Sequence, residues 1–127
     1  MIAADTSTWI AYLGGAAEAD AQMLRMALMG KQLVMVPAVL TELVSDPKLS
    51  PDIAIILADL PMVEIRPGYW QRAGRLRAKV LARKRRARLG DALIAQCCID
   101  NDISLLTRDR DFQVFSEIAS VDLLVKY

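Results

Sequence analysis

No histidine occurs anywhere in the 127 residues. That absence removes Ser-His-Asp and Cys-His catalysis, histidine general bases and the usual histidine-bearing zinc sites together. Cysteine is scarce as well, with Cys97 and Cys98 the only two. Neighbouring residues on a helix point about 100° apart, so these two are not expected to bridge each other. There is no disulfide framework and no CxxC metal clip, and the pair is expected to act as two small buried hydrophobes. No apolar run reaches the roughly 18 residues that a membrane span needs. The longest candidate, Ile53 to Ile65, is interrupted by Asp59, Pro61 and Glu64. The opening Met1-Ile2-Ala3-Ala4-Asp5 has neither a basic flank nor a secretory apolar core. A soluble, cytoplasmic protein without a membrane partner is expected.

Apolar residues make up 54% of the sequence, enough for one packed core, and the length suits a single domain over residues 1–127. Without histidine, hydrolytic chemistry must rest on carboxylates, Lys, Arg, Ser, Thr or Tyr. Carboxylates favour hard cations such as magnesium and manganese. The net charge of +1 conceals an asymmetry. Nine basic residues, with no acid among them, lie between Arg72 and Arg88, leaving seven basic residues to face all fifteen acids in the rest of the chain, a net of −8. One arm is basic and the body is acidic.

Short apolar runs alternate with helical stretches. Ile2–Ala4, Leu33–Val36, Ile103–Leu106 and Val121–Val125 read as buried strands, and Met62–Ile65 as a strand or an extended connection. Helices are expected over Trp9–Leu13, with Thr6, Ser7 and Thr8 offering cap oxygens, and over Ala16–Met29, stopped by Gly30. Pro37 and Pro51 fit the first positions of two further helices, ending near Val44 and Ala58. Tyr69–Ala82 and Gly90–Asp100 complete the set, the latter with Leu93, Ile94, Cys97 and Cys98 as its apolar side. Arg83–Leu89 could extend the Tyr69–Ala82 helix or form a loop, and repulsion among its charges favours a frayed end. Arg108–Asp111 reads as a polar turn. The alternation argues for an α/β fold with a short, mostly parallel sheet covered on both faces.

In such a sheet, ligands sit beyond the carboxyl ends of the strands. Asp5 ends the first strand, and Asp109 and Asp111 follow the strand ending at Leu106. Asp91 stands at a helix start, where the dipole favours a carboxylate. Glu42 lies in the helix after the second strand, flanked by Leu40, Leu43 and Val44. Each acid has a plainer role open to it: a helix cap for Asp5 or Asp91, an exposed helix edge for Glu42, a turn for Asp109 or Asp111. If the acids converge, each like-charged pair at 4 Å costs about 4 kcal/mol at an effective dielectric near 20. That cost calls for a cation or for shared protons, and all-oxygen ligation points to magnesium or manganese.

Four segments together resemble the PIN-domain family. Asp5-Thr6-Ser7 after a short first strand is similar to its opening motif, and Pro37-Ala38-Val39-Leu40-Thr41-Glu42-Leu43 to its second. Gly90-Asp91-Ala92-Leu93-Ile94-Ala95 resembles the third, and Leu105-Leu106-Thr107-Arg108-Asp109-Arg110-Asp111-Phe112 the fourth. They occur in the expected order over nearly the whole chain, and the compact length is similar to VapC-type toxins of toxin–antitoxin pairs. The resemblance implies a three-layer α/β/α sandwich and a Mg2+-dependent endoribonuclease, with Mn2+ as a substitute. It assigns catalysis and metal binding to Asp5, Glu42, Asp91 and Asp109, with Asp111 a rival for the fourth place. Glu42 would hold the metal through water or orient the nucleophile. Thr6, Ser7 and Thr107 would hydrogen-bond a carboxylate or a phosphate. Water attack on the phosphodiester would leave a 5′-phosphate and a 3′-hydroxyl.

The basic residues Arg83, Lys84, Arg85, Arg86 and Arg88 precede Asp91 in sequence and suit an RNA backbone, whose affinity comes largely from Lys and Arg. A solvated helix face or an acidic antitoxin segment would use them equally. The resemblance further implies a homodimer and a cognate antitoxin seated in an apolar groove, with Trp9, Tyr12, Leu13, Tyr69 and Trp70 as candidate anchors, although such residues are more often core than interface. Two rivals remain. One is a catalytically silent RNA- or protein-binding PIN domain. The other is a phosphoryl-transfer domain with Asp5 as nucleophile, which the Ser at position 7 and the Arg at position 108 disfavour.

Overall fold

The computed structural model describes residues 1–124 of the chain. The first strand, β1 (Ile2–Ala4), is followed by six helices: α1 (Thr6–Leu13), α2 (Ala19–Met29), α3 (Pro37–Val44), α4 (Pro51–Ala58), α5 (Tyr69–Ala82) and α6 (Leu89–Asp100). Then come β2 (Ser104–Leu106), a 3-10 turn (Arg110–Phe112) and α7 (Gln113–Ala119). β1 and β2 pair in parallel, with Ile2, Ala3 and Ala4 opposite Ser104, Leu105 and Leu106. Three single parallel bridges widen this ladder: Ile2 to Leu33, Met35 to Met62, and Leu105 to Leu123. The result is a small parallel sheet with helices on both faces, an α/β/α layout that parallel strands require because their crossovers bury both sides.

The expected strand Leu33–Val36 reduces to isolated bridges at Leu33 and Met35, and Met62–Ile65, read as a strand or an extended connection, is an extended connection with one bridge at Met62. Pro37 opens α3 directly after the first of them, and Pro61, which has no N–H, precedes the second. Their backbones still pair, since Met35 N–H donates to Pro61 O at 2.7 Å and Val63 N–H to Met35 O at 2.9 Å. Leu123 supplies the last lane, while Val125 lies outside the described residues. The second helix starts at Ala19 rather than Ala16. The first starts at Thr6, earlier than expected, and its cap is Asp5 rather than a hydroxyl: the Asp5 side chain accepts from Thr8 N–H. No local signal predicts α7, because its seven residues carry no side-chain cap and follow directly on a turn.

The core is one cluster. Met35, Val36, Val39, Ile94, Leu105 and Leu106 are fully buried at its centre, with Trp9, Phe112 and Phe115 among its largest members. Cys97 and Cys98 are both free and buried, as expected. Burial pushes the Cys97 thiol up to about 11 and the Cys98 thiol higher still, so neither is a ready nucleophile. Tyr69 spans α5 and α6, donating its hydroxyl to Leu93 O at 2.6 Å. Arg72 forks onto Asp100 across the same helix pair at 3.0 and 2.6 Å. Among the described residues, no helix is long and apolar enough to cross a membrane.

Candidate active site

The carboxyl ends of β1 and β2 lie side by side, because Asp5 N–H donates to Leu106 O at 2.9 Å. This register brings residues from opposite ends of the chain into one place. Asp5 is 3% exposed, and its carboxylate is enclosed by donors. Ser7 Oγ lies 2.8 Å from both oxygens, Thr8 N–H donates to Oδ1 at 3.0 Å, and Thr107 Oγ1 donates to Oδ2 at 2.7 Å. Burial nevertheless raises the Asp5 carboxyl above its ordinary value, with the hydrogen bonds opposing. None of these donors carries a charge, so the negative charge has no internal counterpart among them.

Asp91 enters from the first turn of α6. Its carboxyl is pushed up to about 6, first by burial and then by Asp109, with Arg88 opposing and Asp5 and Glu42 adding to the rise. Its Oδ2 atom is buried without a hydrogen-bond partner. Glu42 stands exposed on α3, and Thr6 Oγ1 donates to its Oε1 at 2.8 Å. Gly90 faces the same carboxylate: a Cβ there would come within 3.4 Å of Glu42 Oε1. Asp109 precedes the 3-10 turn, caps it through Asp111 N–H at 2.9 Å, and donates its own N–H to Thr107 Oγ1 at 3.0 Å.

Asp5, Thr6, Ser7, Glu42, Arg88, Asp91 and Asp109 all line one cleft of about 190 Å3. Asp111 does not line it, but its carboxylate approaches those of Asp91 and Asp109, with one oxygen from each lying within 4.8 Å of the others. The sequence-predicted acids therefore converge: Asp109 lines the cleft, and Asp111, outside its lining, meets Asp109 and Asp91. An oxygen-only donor set, one orphaned carboxylate oxygen and a carboxyl held up by its like-charged neighbours fit a hard divalent cation. Asp91, Asp109 and Asp111 bring one oxygen each within 4.8 Å of one another and could hold it, with Asp5 and Glu42 lining the cleft beside Asp91 and Asp109.

Of the alternatives for the basic arm, a helix extension or a loop, the structure shows the loop. α5 ends at Ala82, and Lys84 adopts a left-handed backbone with φ of 57°. Arg77 Nε donates to Ala87 O at 2.8 Å and ties the loop back to α5. Repulsion is reduced because the charges splay apart: Arg83 approaches Glu117 at 3.9 Å, Arg86 approaches Asp111 at 4.0 Å, and Arg88 turns to the cleft. Arg83, Lys84, Arg85, Arg86 and Arg88 are all exposed.

Of the apolar anchors expected for a partner, Trp9 and Tyr69 are each 2% exposed and belong to the core. Tyr12 is half-buried, Leu13 is partly exposed and Trp70 is 64% exposed. Trp70 and Leu89 line a groove of about 440 Å3 between α3, α5 and α6, and Ile10 and Leu13 line a second of about 350 Å3 beside α4.

Sequence reasoning missed one pair entirely. Asp20, on α2, is wholly buried and receives Arg108 in a fork, Nε at 2.9 Å and Nη2 at 2.8 Å. Thr8 Oγ1 adds a third donor at 2.9 Å. Asp20 sits in a stretch that reads as an ordinary amphipathic helix, and no local pattern links it to a residue 88 positions away.

Comparison with curated proteins finds no match in sequence. Solved structures do match along the whole chain. A member of the VapBC family of toxin–antitoxin systems, VapBC-5 from Mycobacterium tuberculosis, is 22% identical with a TM-score of 0.68, covering 98% of each chain. VapBC2 from Rickettsia felis, bound to a DNA fragment from the promoter, is 21% identical with a TM-score of 0.73 over 97% of each chain. A toxin–antitoxin complex from Klebsiella pneumoniae is 20% identical with a TM-score of 0.72, covering 100% of this chain and 98% of that one. At these identities the likeness is one of fold. The PIN-domain profile matches residues 2–118, nearly the entire length and all the acids of the cleft. The chain belongs to the PIN-domain family.

Proposed function

We propose that this protein is a Mg2+-dependent endoribonuclease, the toxin of a toxin–antitoxin pair, with Mn2+ able to replace Mg2+. The observation that carries the reading is Asp91, a carboxylate with one buried oxygen left without a partner and three other acids raising its affinity for a proton. A fold does not retain such an arrangement for stability, since neutral residues of similar shape would be less costly. The likeness to structures of toxin–antitoxin complexes supports the biological setting.

The chain's own residues divide the work. Ser7, Thr8 and Thr107 fix both oxygens of Asp5, so this ligand is aimed before anything binds. Thr6 holds Glu42 at the open side of the cleft, where its free oxygen would orient the attacking water. A bound Mg2+ would supply Lewis acidity, acidifying that water and offsetting charge on the non-bridging phosphate oxygens. The water oxygen adds to phosphorus as the 3′-oxygen leaves, giving 5′-phosphate and 3′-hydroxyl ends. Arg88, at the rim, and the exposed Arg83, Lys84, Arg85 and Arg86 would neutralise flanking phosphates. The two apolar grooves offer surfaces for an antitoxin segment and for a second copy of the chain.

The test is incubation of the purified chain with mixed cellular RNA in Mg2+, Mn2+ or EDTA, beside Asp5→Asn and Asp91→Asn. Cleavage that needs metal, leaves 5′-phosphate ends and disappears in both variants is expected. A folded, antitoxin-free wild type that cuts nothing under any metal, yet binds RNA, would replace this reading with a silent RNA-binding domain.

A further inference from the structure

Outside the acid cleft, the strongest unassigned feature is the buried Asp20–Arg108 pair, and its connections lead back to the cleft. Thr8 has two attachments. Its backbone N–H holds Asp5 Oδ1 at 3.0 Å, and its hydroxyl donates to Asp20 Oδ2 at 2.9 Å. Asp20 in turn receives the Arg108 fork at 2.9 and 2.8 Å. Arg108 is bonded along the chain to Thr107 and Asp109. The hydroxyl of Thr107 donates to Asp5 Oδ2 at 2.7 Å while accepting from Asp109 N–H at 3.0 Å. The contacts close a ring: Asp5, Thr8, Asp20, Arg108, Thr107 and back to Asp5. Thr8 and Asp20 are both fully buried, and Thr107 is 3% exposed.

This ring fastens the part of the site that the sheet does not. Pairing of β1 with β2 stops at Ala4 and Leu106, and residues 107–109 run without regular structure before the 3-10 turn. Asp109 must nevertheless be placed against Asp91, which a different element presents. A forked arginine is well suited to that task, because two parallel hydrogen bonds fix direction as well as distance. We propose that Asp20 and Arg108 are positioning residues for the carboxylate cluster, locking the 107–109 segment and the first turn of α1 so that Asp5 and Asp109 present their oxygens to a divalent cation. This rests on the metal-site reading above.

The test is calorimetric titration of Mn2+ into the full chain, without RNA, for wild type, Arg108→Lys, Thr8→Val and Thr8→Ser, each with its melting temperature in EDTA. Lys keeps the charge but loses the fork. Val keeps the shape but loses the hydroxyl, and Ser restores it. Groups that orient metal ligands typically contribute about 10- to 100-fold in affinity, so Arg108→Lys and Thr8→Val should weaken Mn2+ binding by about tenfold. Thr8→Ser should stay close to wild type. In RNA cleavage, kcat should fall with KM for RNA unchanged. Mn2+ affinity equal to wild type in both Arg108→Lys and Thr8→Val would overturn the proposal, even if their melting temperatures dropped, because the pair would then serve the fold alone. A wild type that bound no Mn2+ would overturn the metal reading itself, and the positioning role with it.

Discussion

Asp5 and Asp20 are both almost wholly buried, both receive three or more donated hydrogen bonds, and both share Thr8 as a donor. They differ in one respect. Asp20 faces a guanidinium, so its charge is neutralised inside the protein. Asp5 faces hydroxyls and an amide, burial raises its carboxyl, and the cleft it lines holds Asp91, Glu42 and Asp109, all of its own sign. Burying a charge is tolerable when it is paired and costly when it is not. One aspartate is therefore complete as folded, and the other belongs to a cluster suited to a cation supplied from outside. The same residue type at the same depth serves structure in one place and chemistry in the other, and the sign of the neighbouring charges decides which.

Neutralising the two kinds of acid should move stability in opposite directions, and the larger effect lies on the Asp20 side. Asp20→Asn leaves Arg108 without its buried counter-charge. Removing one partner of a buried pair costs about 3–5 kcal/mol. The low end applies here, because the Arg108 side chain is 31% exposed and Glu18 lies 3.6 Å away. A fall of roughly 10 °C in melting temperature is expected, measured by thermal denaturation in EDTA. An unchanged melting temperature would show that Asp20 is no better compensated than Asp5, and the contrast would collapse.

The acid side should respond more weakly and with the opposite sign. Asp91 is held up to about 6 and Asp5 is raised as well, while an unfolded chain titrates its carboxyls near 4. Between those values the folded state binds more protons than the unfolded one, so stability falls as pH rises. The contribution is complete below about pH 4 and is lost as pH climbs through about 6. With no histidine in the chain, no imidazole titrates in that interval. The metal-free protein should melt several degrees lower at pH 7 than at pH 5. Asp91→Asn should flatten that slope and melt above wild type at pH 7, and saturating Mg2+ should remove the difference by discharging the repulsion. A melting temperature that rises from pH 5 to pH 7 would mean the acids do not converge in solution.

These contrasts are unevenly legible in the sequence. Asp5 and Asp109 stand out because they follow strand ends, Glu42 because it lies in the helix after the second strand, and Asp91 because it opens a helix, and local pattern carries that information. Pro37, Pro51 and Gly30 mark helix limits because they act through their own backbone. Asp20 and Arg108 are invisible there: their meaning lies in a contact that exists only after α2 packs beside the β2 exit. The strand Leu33–Val36 is overestimated, and Met62–Ile65 resolves to the extended connection, since apolar runs report burial and not how many ladder bonds the flanking prolines permit. Trp9 and Tyr69 stay open between core and anchor in the sequence, because an aromatic residue looks the same in either place, and burial settles both as core. Asp109 caps the 3-10 turn that holds Asp111, and only Asp109 of the two lines the cleft.

The last contrast sets the basic arm against the acidic body, and there the expected effect on stability is the smallest. Arg85 and Arg86 are exposed on a loop that is pinned by Arg77 and Ala87 rather than by its own charges. Exposed ion pairs contribute little, and the ion pair at stake, Arg86 to Asp111, is long at 4.0 Å. Arg85→Glu/Arg86→Glu should therefore leave the melting temperature within about a degree of wild type, as surface substitutions usually do. Its effect should appear in RNA affinity. Each phosphate that is no longer neutralised takes about 0.7 off the slope of log K against log salt for a single strand. With two phosphates released, the slope should flatten by about 1.4, with weaker binding at low salt and convergence with wild type at high salt. Because Arg88 remains at the cleft, cleavage at saturating RNA should persist. Unchanged affinity and slope at low salt would place the RNA on another face, and a collapse of kcat would mean the loop reaches further into the chemistry than its exposed position suggests.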